Sequence, residues 1–162
     1  MEEKISESIA IYKQQLIQGD IQRAYLALMR YIGELRANFP GEYKTGNISF
    51  GYLDYTYFPF FNEYLKSQKL RFGIVLNHQK MQFELWLMGQ NDDVQKEYWD
   101  KMKDTKWNKG ISKRPQYSVL EVCLNNHIDF ENKKVMTKLI FKQSLQYVEE
   151  IQEYLQSIDQ IK

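Results

Sequence analysis

Two carboxylates on neighbouring strand-forming segments are the residues best placed for chemistry. Asp54 lies in the aromatic run ISFGYLDYTYF and Glu84 in FELWL. An Asp and a Glu on adjacent strands can share a divalent metal in hydrolase and nuclease sites. That pattern has a Lys two residues after the Glu, where this chain carries Trp86. Glu84 also has a structural reading: a diagonal pair with Arg71 across a hairpin, with Arg71 resting on the Trp86 ring. Such cross-strand pairs contribute about 0.2–1 kcal/mol, and an exposed cation–π contact about as much. His78 and His127 have no partner at metal-ligand spacing. The one cysteine, Cys123, falls inside an alternating apolar pattern and reads as a small buried residue. The eight glycines are scattered, so no phosphate-cradling loop is expected. No metal and no cofactor are expected.

Three surfaces could bind a partner. The cluster Tyr52, Tyr55, Tyr57, Phe58, Phe60 and Phe61 could line a groove for a peptide, base or sugar, with Asp54 as a polar contact; the competing reading is a core wedge. Tyr52, Asp54, Tyr57, Arg71, Glu84 and Trp86 form the candidate ligand site. A second candidate, for a polyanion, is the basic loop holding Lys103, Lys106, Trp107, Lys109, Lys113 and Arg114, which could track phosphates and stack a base. The net charge of +1 argues against a nucleic-acid partner. A third surface is the C-terminal helix, where Leu139, Phe141, Leu145 and Tyr154 lie off the main apolar stripe and could seat a homodimer.

The elements that must position these groups follow from periodicity. Ile5, Ile9, Tyr12 and Leu16 predict an amphipathic helix stopped by Gly19. Asp20 is placed to cap a second helix with Ile21, Ala24, Tyr25, Leu28, Ile32 and Leu35 on one face. Residues 48–58 predict a strand, with Pro59 demoting its continuation. Lys69 to Gly89 predicts a β-hairpin. With His78-Gln79 as a two-residue turn, Leu76 faces Met81, Ile74 faces Phe83, Phe72 faces Leu85 and Leu70 faces Leu87. A one-residue slip would bury Arg71 and Glu84. Asn91 caps a helix carrying Val94, Tyr98 and Met102. Tyr117 to Leu124 predicts a fourth strand. From about Glu131 to Ile158 the spacing is helical again, over roughly 40 Å.

The 162 residues, 43% hydrophobic and 27% charged, describe an ordinary globular chain. The acidic N-terminus lacks the pattern of a signal peptide, and no apolar run approaches the roughly 20 residues that span a bilayer. A single cysteine fits a reducing compartment, so a cytoplasmic location without membrane contact is expected. The fold class is α+β in a single domain over 1–162. It comprises a small antiparallel sheet of about four strands around the central hairpin, packed by an N-terminal helical hairpin and a long C-terminal helix.

Four runs carry a family resemblance: Gly51-Tyr52, Asp54 and Thr56-Tyr57-Phe58; Lys69-Leu70, Phe72 and Ile74-Val75; Phe83-Glu84 and Trp86-Leu87; Tyr98-Trp99. They resemble an uncharacterised bacterial domain-of-unknown-function family with the pattern G-Y-x-D-x-T-Y-F, K-L-x-I-x-I-V, F-E-x-W-L and Y-W. Phe72 stands where that family often has Ile. The resemblance implies bacterial origin and a standalone domain, and it brings no activity. The sequence therefore favours a non-catalytic module that grips a protein or small molecule on the aromatic strand and hairpin face. A metal-dependent hydrolase using Asp54 and Glu84 and a polyanion binder using the basic loop are the alternatives.

Overall fold

The structure, a computed structural model, describes residues 2–159, with side chains from Lys4 onward. The chain divides into two compact units, Met1–Ala37 and Asn38–Lys162. The first holds α1 (Glu2–Gln18) and α2 (Asp20–Ala37). Gly19, at φ +85°, makes the turn between them in the left-handed conformation that glycine tolerates. Asp20 opens α2 as its first residue instead of preceding it, and its carboxylate pairs with Arg23. Gln22 Nε2 donates to the Leu16 carbonyl at 2.7 Å, tying the two helices. The α1 stripe of Ile5, Ile9 and Tyr12 is exposed, whereas Leu28, Tyr31, Ile32 and Leu35 on α2 are buried.

The second unit is built on a five-stranded antiparallel meander in the order β1 (Lys44–Thr45), β2 (Tyr55–Phe61), β3 (Leu70–Asn77), β4 (Gln82–Gly89) and β5 (Leu120–Asn125). Alternation divides its side chains between two faces. Phe58, Phe60, Phe72, Ile74, Leu76, Phe83, Leu85, Leu87, Leu120 and Leu124 are buried on one face. Tyr55 and Tyr57, Val75, Trp86 and Met88, and Cys123 fall on the other. The aromatic run is therefore both core and groove: Phe58 and Phe60 take the first role, Tyr55 and Tyr57 the second.

Two strand expectations are corrected. The strand does not span 48–58. Residues 48–54 are loop, apart from a bridge between Ser49 and Tyr57, and β2 runs through Pro59 to Phe61. Pro59 is tolerated because Tyr57 and Pro59 present their backbone polar groups to the β1 side. Ser49 takes both groups of Tyr57, and the Pro59 carbonyl accepts from Gly46 N at 2.8 Å. The missing proline N–H thus faces the edge, not β3.

The hairpin register is shifted by two residues from the expected one. Leu76 pairs with Phe83, Ile74 with Leu85, Phe72 with Leu87, and Leu70 with Gly89. His78, Gln79, Lys80 and Met81 form the turn, and Met81 adopts φ +49°. Two-residue turns demand positive φ at the turn positions, which Asn-Gly supplies readily and His-Gln does not. The shift is even, so every side chain keeps its predicted face while every cross-strand partner changes.

The short helix α3 (Glu63–Ser67) is capped by Asn62, whose Oδ1 accepts from Leu65 N at 2.9 Å. Helix α4 (Asp92–Met102) is capped by Asn91, as its sequence predicts, and buries Val94, Gln95, Tyr98 and Met102. The long helix α5 (Lys133–Asp159) buries Met136, Ile140, Ser144, Val148, Ile151 and Leu155. Tyr147 lies one position off that stripe and is half-buried. Phe141 meets Phe39 edge-on at 5.6 Å, and Tyr154 meets Trp107 edge-on at 5.7 Å. Val135 and Leu139 remain exposed on α5. No described helix is long and apolar enough to cross a membrane.

Candidate functional site

The second face of the sheet carries a cavity of about 390 Å³. Trp86 and Met88 line it, and with Val75 they form a buried cluster against which Tyr55 and Tyr57 pack. Tyr55 meets the Trp86 ring edge-on at 4.8 Å, an arrangement suited to the charge distribution of aromatic rings. Gly73 lies opposite Trp86, where a Cβ would sit 2.6 Å from Met88 Cε. Its missing side chain lets the Met88 thioether lie across the strand. The Ser49–Asp54 loop forms one wall, and Gln90 to Asp92 at the start of α4 form another. Five of the six residues of the candidate ligand site, Tyr52, Asp54, Tyr57, Arg71 and Trp86, line this one cavity. Sequence reasoning missed Tyr117 and Gln95, because nothing local links the 117 loop or α4 to the hairpin face.

Glu84 stands beneath the cavity instead of lining it. It is 4% exposed, and three neutral donors hold its carboxylate. Trp86 Nε1 donates to Oε1 at 2.9 Å, while Asn77 Nδ2 and Gln82 Nε2 donate to Oε2. The expected Arg71–Glu84 pair does not form, because the register places Val75 opposite Glu84 and Met88 opposite Arg71. Arg71 likewise does not stack on Trp86, which faces Gly73. Across the other edge of β4, Glu84 faces Cys123 and Trp86 faces Glu121. Partial burial, and then the Glu84 charge, push the Glu121 carboxyl up; its bond from Ser118 Oγ opposes this. Cys123 is exposed, not buried as its pattern suggests. Partial burial and Glu84 still push its thiol above 9.0, the opposite of what a nucleophile needs.

Asp54 is exposed and shapes the loop. Its Oδ1 accepts from Tyr52 N at 2.8 Å and Tyr55 N at 2.7 Å, and these bonds hold the carboxyl below its ordinary 3.8. Gly51 at φ +72° and Leu53 at φ +64° supply the left-handed turns, and a Cβ at Gly51 would collide with the Tyr55 carbonyl oxygen. The loop is fastened to the hairpin turn. His78 N donates to the Asp54 carbonyl at 3.0 Å, and buried Thr56 Oγ1 donates to the Phe50 carbonyl at 2.7 Å and lies 2.8 Å from His78 Nε2. Among the described residues, no three His, Cys, Asp or Glu side chains gather as a metal-ligand set.

This fastening is sensitive to acid. Burial holds the His78 imidazole below its ordinary 6.5, with the Asp54 charge opposing. A histidine with a depressed folded pKa stabilises the fold above its unfolded pKa, and that contribution falls as pH drops through 6.5 toward the folded value. Urea denaturation near pH 7.5 and pH 5.5 is expected to show a larger loss of stability for the natural chain than for His78→Gln. Equal losses would refute the assignment.

Three of the six polyanion candidates, Lys103, Lys106 and Lys109, share one cleft, and the other three do not line it. Lys103, Lys109 and Lys113 are exposed. Lys106 is ion-paired to Glu150 at 3.1 Å, and Arg114 to Asp92 at 2.7 Å. Trp107 is half-buried with its ring against Tyr154. The loop folds around a separate cleft of about 560 Å³ with Lys103, Lys106 and Lys109 on its walls.

No curated protein and no solved structure matches this chain. A family described as a domain of unknown function, DUF7000, matches residues 5–155, which takes in the whole meander, the cavity and nearly all of α5. The chain belongs to the DUF7000 family.

Proposed function

We propose that this chain is a non-catalytic binding module of the bacterial cytoplasm that holds a small molecule on the open face of its sheet. The observation that carries this reading is the cavity of about 390 Å³, walled by Tyr55, Tyr57, Trp86 and Tyr117. That volume, and a lining in which aromatic rings stand beside polar and charged side chains, suit small-ligand recognition. Glu84 has both oxygens engaged by N–H donors, and Asp54 Oδ1 is held by two backbone amides. Both acids therefore serve shape, which argues for binding over catalysis. The single cysteine fits a reducing compartment, and a bacterial origin rests on the resemblance of the runs around Asp54 and Trp86 to a bacterial family pattern.

The test is a fragment screen of flat-ring compounds followed by amide and indole NMR shifts. Binders are expected to move Tyr55, Tyr57, Trp86 and Met88 together, and Trp86→Phe is expected to weaken them. Binders that move only residues outside this face, or no binders at all, would overturn the reading.

A further inference from the structure

Arg71 is the exception in an otherwise satisfied site. It leaves β3 on the cavity face and is half-buried, and its Nε is buried without a hydrogen-bond partner. Among the described residues it makes no ion pair. The cavity's acids are in the opposite condition: Asp92 Oδ1 binds Arg114, and Asp54 Oδ1 binds two amides. Partly buried guanidinium groups are ordinarily met by an acceptor, because desolvating their fork of donors is unfavourable without one.

A second, smaller cavity of about 160 Å³ adjoins the first and shares Arg71 and Gln90 as walls. Lys66 and Lys69 line it, and neither is ion-paired among the described residues. Lys69 is held at φ +58°, a conformation uncommon for a side chain of its size, and its carbonyl accepts from Gln90 N at 2.9 Å. Three cations with no ion pair among the described residues thus stand around the smaller cavity, and Arg71 joins it to the aromatic one. Such an arrangement fits a charged head on a flat body, not a neutral ligand.

We propose that the ligand of this face is a flat-ringed small molecule bearing an anionic group, a carboxylate or a phosphate. Arg71 grips that group, and Lys66 and Lys69 add to its attraction. The ring lies over Trp86 and between Tyr55 and Tyr57, and the anion points to the smaller cavity. The inference rests on the cavity being a small-molecule site.

Matched pairs test it by titration calorimetry on the full chain: indole-3-acetate against indole-3-acetamide for the carboxylate, and adenosine monophosphate against adenosine for the phosphate. In at least one pair the charged member is expected to bind about tenfold or more tighter, and the pair that shows the preference identifies the group. Arg71→Gln is expected to abolish the preference, and Arg71→Lys to keep part of it. Raising salt should shrink it as the charges are screened. Should Arg71→Gln fail to fold, the salt series on the natural chain decides. Equal binding within both pairs overturns this inference and leaves the cavity reading standing. Absence of binding by all four compounds overturns this inference, and the cavity reading then depends on the fragment screen alone.

Discussion

Trp86→Ala is expected to lower the unfolding free energy by about 3–5 kcal/mol and to remove ligand binding at the cavity. The indole is 3% exposed, lines the cavity beside Met88 and clusters with Val75 and Met88. Truncation removes its packing against Tyr55 and leaves Glu84 Oε1 without its indole donor. The void would open onto the existing cavity and fill with water, so the lower end of the range is expected. Urea denaturation measures the loss. Trp86→Phe separates the two components in part: it keeps a six-membered ring but deletes the N–H and two buried ring carbons, for an expected loss of about 1–2 kcal/mol. A loss under 1 kcal/mol for Trp86→Ala would mean that the cluster is not packed as described.

Glu84→Gln is expected to be the second most damaging of these changes, by about 1–3 kcal/mol, although the side chains are nearly the same shape. A carboxylate accepts from all three neighbours, whereas an amide has one oxygen. Facing the oxygen toward Asn77 and Gln82 turns the NH₂ toward Trp86 Nε1, so two donors meet. The same substitution in a Trp86→Phe background should therefore be milder, by about 1 kcal/mol in a double-mutant cycle. Additive losses would show that Glu84 and the indole N–H act independently. A catalytic role for Glu84 makes no such demand on Trp86, so the cycle also weighs structure against chemistry.

The sequence carried the side-chain faces of the hairpin better than its pairings. Alternation in LRFGIVLN and QFELWLMG assigns each residue to a face regardless of partner, and those faces hold. The partners depend on turn geometry, and His78-Gln79 gives no signal for a left-handed Met81. That one uncertainty produced the Arg71–Glu84 pair that does not exist. Helix starts were legible where a side chain caps the backbone, as Asn91 does, since cap and capped amide are three residues apart. The cavity was half legible. Its strand residues share a short stretch of chain, but Tyr117 and Gln95 arrive through the tertiary fold. The loop before β2 looked like strand because Ile48, Phe50 and Tyr52 are β-formers, yet Gly51 and Leu53 take left-handed turns there.

Pro59 has a bearing on how copies of this chain meet at high concentration. A sheet border with unclaimed backbone groups is a template onto which a foreign strand can polymerise. On β2 the rungs are already claimed: Ser49 takes both groups of Tyr57, Gly46 takes the Pro59 carbonyl, and Lys44 covers Phe61. Proline brings no donor of its own to that border. Fibre-like growth by strand addition has no footing on β2 itself, and on this side of the sheet it would find only the two-residue β1 as a template, whereas β5 offers a six-residue border.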